Sequence, residues 1–314
     1  MQLQAHFPIK YGFDNKLTPC LPALNTEKCC FKTSFDQRLW MFHRYWEPPQ
    51  DAEVYATLII LHGTVDHSGS YAELAQKLAR AGIAVFAMDM RGWGLSDGET
   101  MYIDDINTFT SDVNNLYQQV HSLPRYAATK SRFLLGKSLG GTVSAFCAVK
   151  YPKHWSGLIG LSGAYQVDPR LTPSPVITPL LRILAKFLPK LPLKPLFDEH
   201  LILSDENALQ EWRDDSLCCK DNLRLGYIVN LLECLKVLPQ LIKSHLNIPM
   251  LMMCGDSDKI VTLSGHQLMI QENQHSEKQL KIYPNGYHNM LQEPALKSQV
   301  MADIKEWILS LSKK

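Results

Sequence analysis

The sequence predicts an α/β fold, in which a mostly parallel central sheet carries helices on both faces and is interrupted by a helical cap insertion. Short apolar runs typical of strands buried on both faces, such as residues 57–61 and 83–88, alternate with amphipathic stretches. Between residues 167 and 246 this alternation stops, and prolines and leucines dominate. We therefore expect an irregular lead-in at residues 1–28. The core is split into residues 29–166 and 247–314, and the cap lies between them at residues 167–246.

The individual elements follow from local patterns, taken in chain order. Residues 30–35 and 39–46 are rich in β-forming residues and predict an antiparallel hairpin at a sheet edge. Residues 71–81 form an amphipathic helical pattern that ends before Gly82. The other predicted elements are strands at 57–61, 83–88, 132–135, 158–162, 250–254 and 280–283, and helices at 104–120, 206–213, 223–241 and 296–311.

The composition excludes several classes of function. The chain has 314 residues, of which 46% are hydrophobic, and its formal net charge of +1 argues against a nucleic-acid partner. Its eight cysteines show no zinc-type spacing, so we expect no metal site and reduced thiols. There is no secretory signal pattern and no run of about 18 uninterrupted apolar residues. These features predict a cytoplasmic protein that is at most peripheral to membranes.

The segment from Gly136 to Gly140 contains the pattern G-x-S-x-G at the end of an apolar run and before a series of small residues. This context is typical of a strand, a tight turn and a helix, with Ser138 on the turn. The glycines are needed because side chains there would crowd a sharply bent backbone. A serine hydroxyl is a poor nucleophile near neutral pH, so a catalytic Ser138 requires a base and a carboxylate that orients it.

Two loops that follow later strands can supply these partners. Asp256 and Asp258 follow the strand at 250–254, and His288 follows the strand at 280–283. The carboxyl ends of parallel strands meet at one edge of the sheet, so these side chains are expected near Ser138. The chain order of serine, acid and histidine is the order of an α/β-hydrolase. Either aspartate could be the acid, and the sequence favours Asp258.

The loop after the first central strand is the candidate oxyanion loop. His62-Gly63-Thr64 places a backbone N–H near the same edge, and with the N–H of Leu139 it could bind the oxyanion of a tetrahedral intermediate. We interpret His62 as a structural histidine.

Six motifs occur in order along the chain: His62-Gly63, His67 to Tyr71, the D-x-x-G-x-G-x-S pattern from Asp89 to Ser96, Gly136 to Gly141, Gly255 to Asp258, and Tyr287-His288. This ordered set resembles the monoacylglycerol lipase and lysophospholipase branch of the α/β-hydrolase family over residues 30–312. The resemblance implies that Ser138, Asp258 and His288 are nucleophile, acid and base, with Thr64 and Leu139 as oxyanion donors. It also implies hydrolysis of a lipid ester, a monoacylglycerol or a lysophospholipid, through an acyl-enzyme and without cofactor or metal.

The sequence departs from this branch near the nucleophile and in the cap. Lys137 stands where a histidine is usual, and Leu139 stands where a methionine is usual. Because the cap largely sets substrate choice, an esterase, thioesterase or acyltransferase of smaller substrates stays open. From another class of function, a binding protein that keeps the fold without turnover also stays open.

The cap stretch at residues 176–188 is apolar with sparse basic residues, and Lys190 and Lys194 continue it among prolines up to residue 197. It predicts either a cap helix buried on the core, which the sequence favours, or an interfacial lid in transient contact with a membrane surface.

Overall fold

The computed structural model describes residues 27–193 and 198–313. The lead-in up to residue 26, and residues 194–197 with Lys194, lie outside the described residues. The strands are β1 Glu27–Thr33, β2 Trp40–Trp46, β3 Ala56–Leu61, β4 Ile83–Met88, β5 Arg132–Lys137, β6 Gly157–Leu161, β7 Met250–Gly255 and β8 Lys278–Tyr283.

These strands form one eight-stranded sheet in the order β1-β2-β4-β3-β5-β6-β7-β8. β2 is antiparallel to both of its neighbours, and the other pairs are parallel. Every residue of β3, β4 and β7 is buried, as expected of parallel strands covered on both faces. The predicted α/β fold with a mostly parallel sheet is therefore confirmed.

Helices cover both faces of the sheet. α1 and α9 close one face, where their apolar side chains join those of the strands. α2, α4, α7 and α8 contribute to the core on the other face. The helices are α1 Ala72–Arg80, α2 Ile106–His121, α3 Pro124–Ala127, α4 Leu139–Lys150, α5 Thr178–Phe187, α6 Glu206–Asp214, α7 Leu225–His245, α8 Leu263–Glu272 and α9 Lys297–Ser312.

Sequence analysis did not predict α8. The helix begins after Thr262, whose side chain accepts a hydrogen bond from the N–H of Gly265. Its buried residues are Gly265, His266 and Met269, of which one is a large apolar side chain, and Ile270 packs against the core partly buried. A helix of this kind lacks the apolar periodicity by which helices are recognised in a sequence.

The segment between β6 and β7 contributes α5, α6 and α7. Within the described residues, α7 alone is long and apolar enough to cross a membrane by length and composition, and 44% of its apolar window is buried inside the protein. It packs against α4, α5 and α8. These contacts are those of a helix in the core of a folded protein.

The expectation that the stretch around residues 176–188 is buried on the core is wrong. No residue of α5 is buried, and Leu180, Ile183 and Phe187 are 64%, 57% and 77% exposed. The physical reason lies in the layering of the cap. α7 occupies the position over the core, and α5 packs on α7 as an outer layer.

Candidate active site

Ser138 lies on the tight turn between β5 and α4, at the carboxyl edge of the sheet. Its φ is 52° and its ψ is −121°, and such a positive φ is uncommon for residues other than glycine. A Cβ added to Gly136 would lie 2.1 Å from the carbonyl oxygen of Gly140, and a Cβ added to Gly140 would lie 2.2 Å from that of Leu61. The flanking glycines are thus required by backbone contacts.

Ser138, His288 and Asp258 form one hydrogen-bonded chain. The Ser138 Oγ lies 2.9 Å from His288 Nε2, and His288 Nδ1 lies 2.8 Å from Asp258 Oδ2. The histidine and aspartate side chains are 3% and 1% exposed. A carboxylate at Nδ1 favours the tautomer whose Nε2 lone pair can accept the proton of the serine. This arrangement can activate a hydroxyl group as a nucleophile.

The structure brings Asp258, and not Asp256, to the histidine. The second oxygen of Asp258 accepts hydrogen bonds from the N–H groups of Ile260 and Val261, at 2.9 and 3.0 Å. Burial alone would raise the pKa of Asp258, but His288 and these hydrogen bonds outweigh burial and hold the pKa below its usual value. Asp256 is exposed and accepts a hydrogen bond from the N–H of Asn285 at 2.8 Å.

The two predicted oxyanion donors flank Ser138. Leu139 is the first residue of α4, where backbone N–H groups have no acceptor within the helix. Thr64 follows β3 and lines the same cavity as Ser138 and His288. The indole of Trp93 donates to the Thr64 carbonyl oxygen at 2.5 Å, which fixes that end of the loop. The assignment of the Thr64 and Leu139 N–H groups as oxyanion donors stays a prediction.

His62 holds the base of this loop and has the structural position expected for it. The ring is fully buried, and its Nε2 accepts a hydrogen bond from the N–H of Met90 at 2.9 Å. Its Nδ1 must then carry the proton that is donated to the Gly63 carbonyl oxygen at 2.7 Å. The histidine therefore ties the loop after β3 to the loop after β4.

The sequence did not reveal a second support of the loop. Lys137 Nζ lies 3.4 Å from Asp66 Oδ2, and both side chains are 4% exposed. Asp66 also accepts hydrogen bonds from the Tyr71 hydroxyl and from the His67 N–H, at 2.8 and 2.9 Å. Lys137 was visible in the sequence only as a departure from the family pattern, and nothing there identified its partner.

An apolar cavity, part of it open to solvent, lies between the core and the cap. Its polar groups come from Thr64, Ser138, Thr172, Tyr227 and His288. Its apolar walls come from the core, at Val65, Ala164, Ile260 and Val261, and from the cap, at Val167, Leu171, Leu223, Ile228, Leu231 and Leu232.

One group of side chains among the described residues has the composition of a metal site. Ligand atoms of His67, Asp215 and Cys218 lie within 4.8 Å of one another. However, the Nδ1 of His67 accepts a hydrogen bond from the N–H of Gly69 at 3.1 Å, so Nε2 carries the proton and donates to Asp215 at 2.9 Å. A ring used in this way has no lone pair left for a metal ion.

The chain resembles monoacylglycerol lipases in sequence and in fold. It is 29% identical to the monoglyceride lipase of Homo sapiens over 270 residues, which cover 86% of each chain. It is also 29% identical to the monoacylglycerol lipase of Mycolicibacterium smegmatis, over 84% of this chain and 91% of that protein. The crystal structure of a soluble variant of the Saccharomyces cerevisiae monoglyceride lipase, in complex with a substrate analogue, shares the fold. Its TM-score is 0.82 at 20% identity, over 92% of this chain and 97% of that one.

A family assignment follows from the match over the length of the chain. Residues 52–295 match the sequence model of the family described as serine aminopeptidase, S33. The matched range extends from before β3 to beyond His288, so it includes the turn of Ser138, the loop of Asp258 and the whole cap. This chain therefore belongs to the serine aminopeptidase S33 family of α/β-hydrolases.

Proposed function

We propose that the protein hydrolyses monoacylglycerols and releases the fatty acid through an acyl-enzyme on Ser138. The observation that carries this proposal is the hydrogen-bonded chain of Asp258, His288 and Ser138 at an apolar cavity. Apolar walls suit an acyl chain, and the names of the relatives support a glycerol ester.

In the proposed mechanism, Ser138 attacks the ester carbonyl while His288 accepts its proton. Asp258 keeps the imidazole in the required tautomer and stabilises it when it becomes charged. The N–H groups of Thr64 and Leu139 bind the oxyanion that forms on the carbonyl oxygen. His288 then donates its proton to the leaving glycerol. In the second half of the reaction, His288 activates a water molecule, which attacks the acyl-enzyme, releases the fatty acid and regenerates Ser138.

Fatty-acid release tests the proposal. Purified protein is incubated with 1-oleoylglycerol or with oleoyl lysophosphatidylcholine, and Ser138→Ala is the matched control. Release from the glycerol ester that is absent in the variant supports the proposal. Faster release from the phospholipid would change the head group to that of a lysophospholipase. If neither lipid is cleaved while a fluorophosphonate still labels Ser138, the lipid substrate is wrong, and short esters or acyl transfer become the function to test.

We also propose that the protein is cytoplasmic and that α5 makes transient contact with a membrane surface. Leu180, Ile183 and Phe187 are spaced three and four residues apart, so they share one exposed face of the helix. Lys186 lies exposed in the last turn of α5, which favours anionic head groups, whereas Lys190 is ion-paired with Glu99 at 3.0 Å. The buried thiols of Cys147, Cys218, Cys234 and Cys254 are consistent with a reducing compartment.

Vesicle flotation tests the membrane contact. The wild-type protein is expected to float with phosphatidylcholine vesicles that contain phosphatidylserine, and Ile183→Ser should float less. Ile282→Ser is the matched control, because Ile282 is 45% exposed on β8, outside the cap. Equal flotation of the two variants would contradict a contact through α5.

A further inference from the structure

The side chains of Thr64 and Tyr227 share one hydrogen bond beside the candidate nucleophile. Thr64 Oγ1 lies 2.5 Å from the Tyr227 hydroxyl oxygen, and both residues are buried and line the cavity that contains Ser138. Within residues 27–193 and 198–313, neither hydroxyl has another hydrogen-bond partner. Each hydroxyl carries one proton, so two protons are available for a single hydrogen bond.

One of these two protons therefore has no acceptor among the described residues of the protein. A hydroxyl donor that faces a ligand cavity and has no protein acceptor can form a hydrogen bond to an acceptor on the ligand. The ester carbonyl oxygen is the ligand acceptor expected next to Thr64, because the backbone N–H of Thr64 is predicted to bind that oxygen.

Donor strength decides which of the two protons is unused. By geometry either oxygen could be the donor. A phenol is a stronger hydrogen-bond donor than an aliphatic alcohol, so donation from Tyr227 to Thr64 is the favoured arrangement. Burial raises the pKa of Tyr227 to about 12, so the phenol keeps its proton at neutral pH and remains a donor. The proton of the Thr64 hydroxyl then stays available, only two carbon atoms away from the N–H of the same residue.

We propose that the Thr64 hydroxyl is a third donor to the oxyanion, and that Tyr227 is a positioning residue that aims it. The hydroxyl forms a hydrogen bond to the negatively charged oxygen and keeps its proton throughout the reaction. Because negative charge on that oxygen is greatest in the transition state, this bond is stronger there than with the substrate. The inference rests on the proposed ester hydrolysis at Ser138, but it does not depend on which ester is the natural substrate.

The test compares Thr64→Val, Thr64→Ser, Tyr227→Phe and the double variant Thr64→Val/Tyr227→Phe. Turnover of p-nitrophenyl butyrate gives kcat and KM. Affinity for an alkyl trifluoromethyl ketone, which adds to the serine and carries an oxyanion, reports on the transition state. Thermal unfolding midpoints show whether each variant is folded.

Thr64→Val should lower kcat by about 10- to 100-fold, the usual effect of losing a hydrogen bond to a charged group, with little change in KM. The affinity for the ketone should fall by the same factor, and Thr64→Ser should recover most of the loss. Tyr227→Phe should have a smaller effect, because the threonine hydroxyl remains. The double variant should lose no more than Thr64→Val, because the tyrosine acts through that hydroxyl.

Each of three results would overturn this inference and leave the proposed ester hydrolysis standing. The first is a wild-type kcat in Thr64→Val, and the second is a lower kcat in Thr64→Val with unchanged affinity for the ketone. The third is a larger loss of kcat in Tyr227→Phe than in Thr64→Val. The last result would make Tyr227 the donor. If folded wild-type protein neither cleaves the ester nor binds the ketone, the proposed function is wrong and the inference is overturned with it.

Discussion

The buried ion pair beside the nucleophile turn carries a prediction on stability. Lys137 and Asp66 lie 3.4 Å apart with side chains that are 4% exposed. Burial by itself would raise the pKa of Asp66, but the Lys137 ammonium, with smaller effects of neighbouring groups, holds that pKa well below its usual value. The carboxylate is thus charged at neutral pH, and it relies on the lysine for compensation.

Lys137→Met removes the ammonium group and keeps a side chain of similar shape. Breaking a buried ion pair from one side costs about 3–5 kcal/mol, because the remaining charge stays buried without compensation. Unfolding entropy is about 2.1 cal/mol/K per residue, so for a chain of 314 residues this loss lowers Tm by about 5–8 °C.

Urea unfolding of the wild-type protein, Lys137→Met, Asp66→Asn and the double variant measures the effect. In the double variant neither charge is left uncompensated, so its loss should be smaller than the sum of the single losses. Additive losses, or a loss below about 1 kcal/mol in Lys137→Met, would refute the reasoning. The folded-state pKa of Asp66 lies below its unfolded value of about 3.9, so its stabilisation is complete above that pH and is lost as the pH falls. Asp66→Asn should remove this part of the acid sensitivity.

Three further predictions concern single residues. Asp258→Asn should lower kcat by about 10⁴-fold, because an amide does not hold the required tautomer of His288. The control Asp256→Asn, on the same loop, should keep kcat near the wild-type value. Similar losses of kcat in both variants would contradict the assignment of Asp258 as the acid. Burial lowers the pKa of His266 to about 4, and its Nε2 accepts a hydrogen bond from the N–H of Gly163 at 3.0 Å. As the pH falls, His266 is therefore protonated in the unfolded chain before it is protonated in the folded protein. The free energy of unfolding should fall by up to about 3 kcal/mol between pH 6.5 and 4. His266→Gln should reduce this slope in urea unfolding, whereas the exposed control His245→Gln should not. Gly140→Ala should abolish fluorophosphonate labelling of Ser138, because its methyl group would lie 2.2 Å from the Leu61 carbonyl oxygen; normal labelling would show that the turn tolerates a side chain.

The central strands and the proximity of Ser138, Asp258 and His288 could be predicted from the sequence because their signals are local. β4 has the bounds that its apolar run predicted, and β3 differs from its predicted run by one residue. Ser138 follows β5 directly, Asp258 and His288 lie in the loops after β7 and β8, and parallel strands bring their carboxyl ends to one edge. Distant parts of the chain could therefore be placed together without knowledge of any side-chain contact.

The contacts between the cap and the core could not be predicted, because they join residues that are far apart in the chain. Thr64 and Tyr227 are separated by 163 positions, and His67 and Asp215 by 148. Neither member of a pair carries a local pattern that identifies the other. The exposure of α5 is a similar case, since its apolar composition does not reveal that α7 already covers the core.

Three hydrogen bonds from the cap meet at one short loop of the core, at residues 64–67. Besides the bonds of Tyr227 to Thr64 and of Asp215 to His67, the Trp212 indole donates to the Val65 carbonyl oxygen at 2.9 Å. Lys137 holds the same loop from the core through Asp66. A displacement of the cap cannot leave this loop in place without breaking one or more of these bonds. Because the loop carries the predicted oxyanion donor, we expect a displacement of the cap to lower the reaction rate.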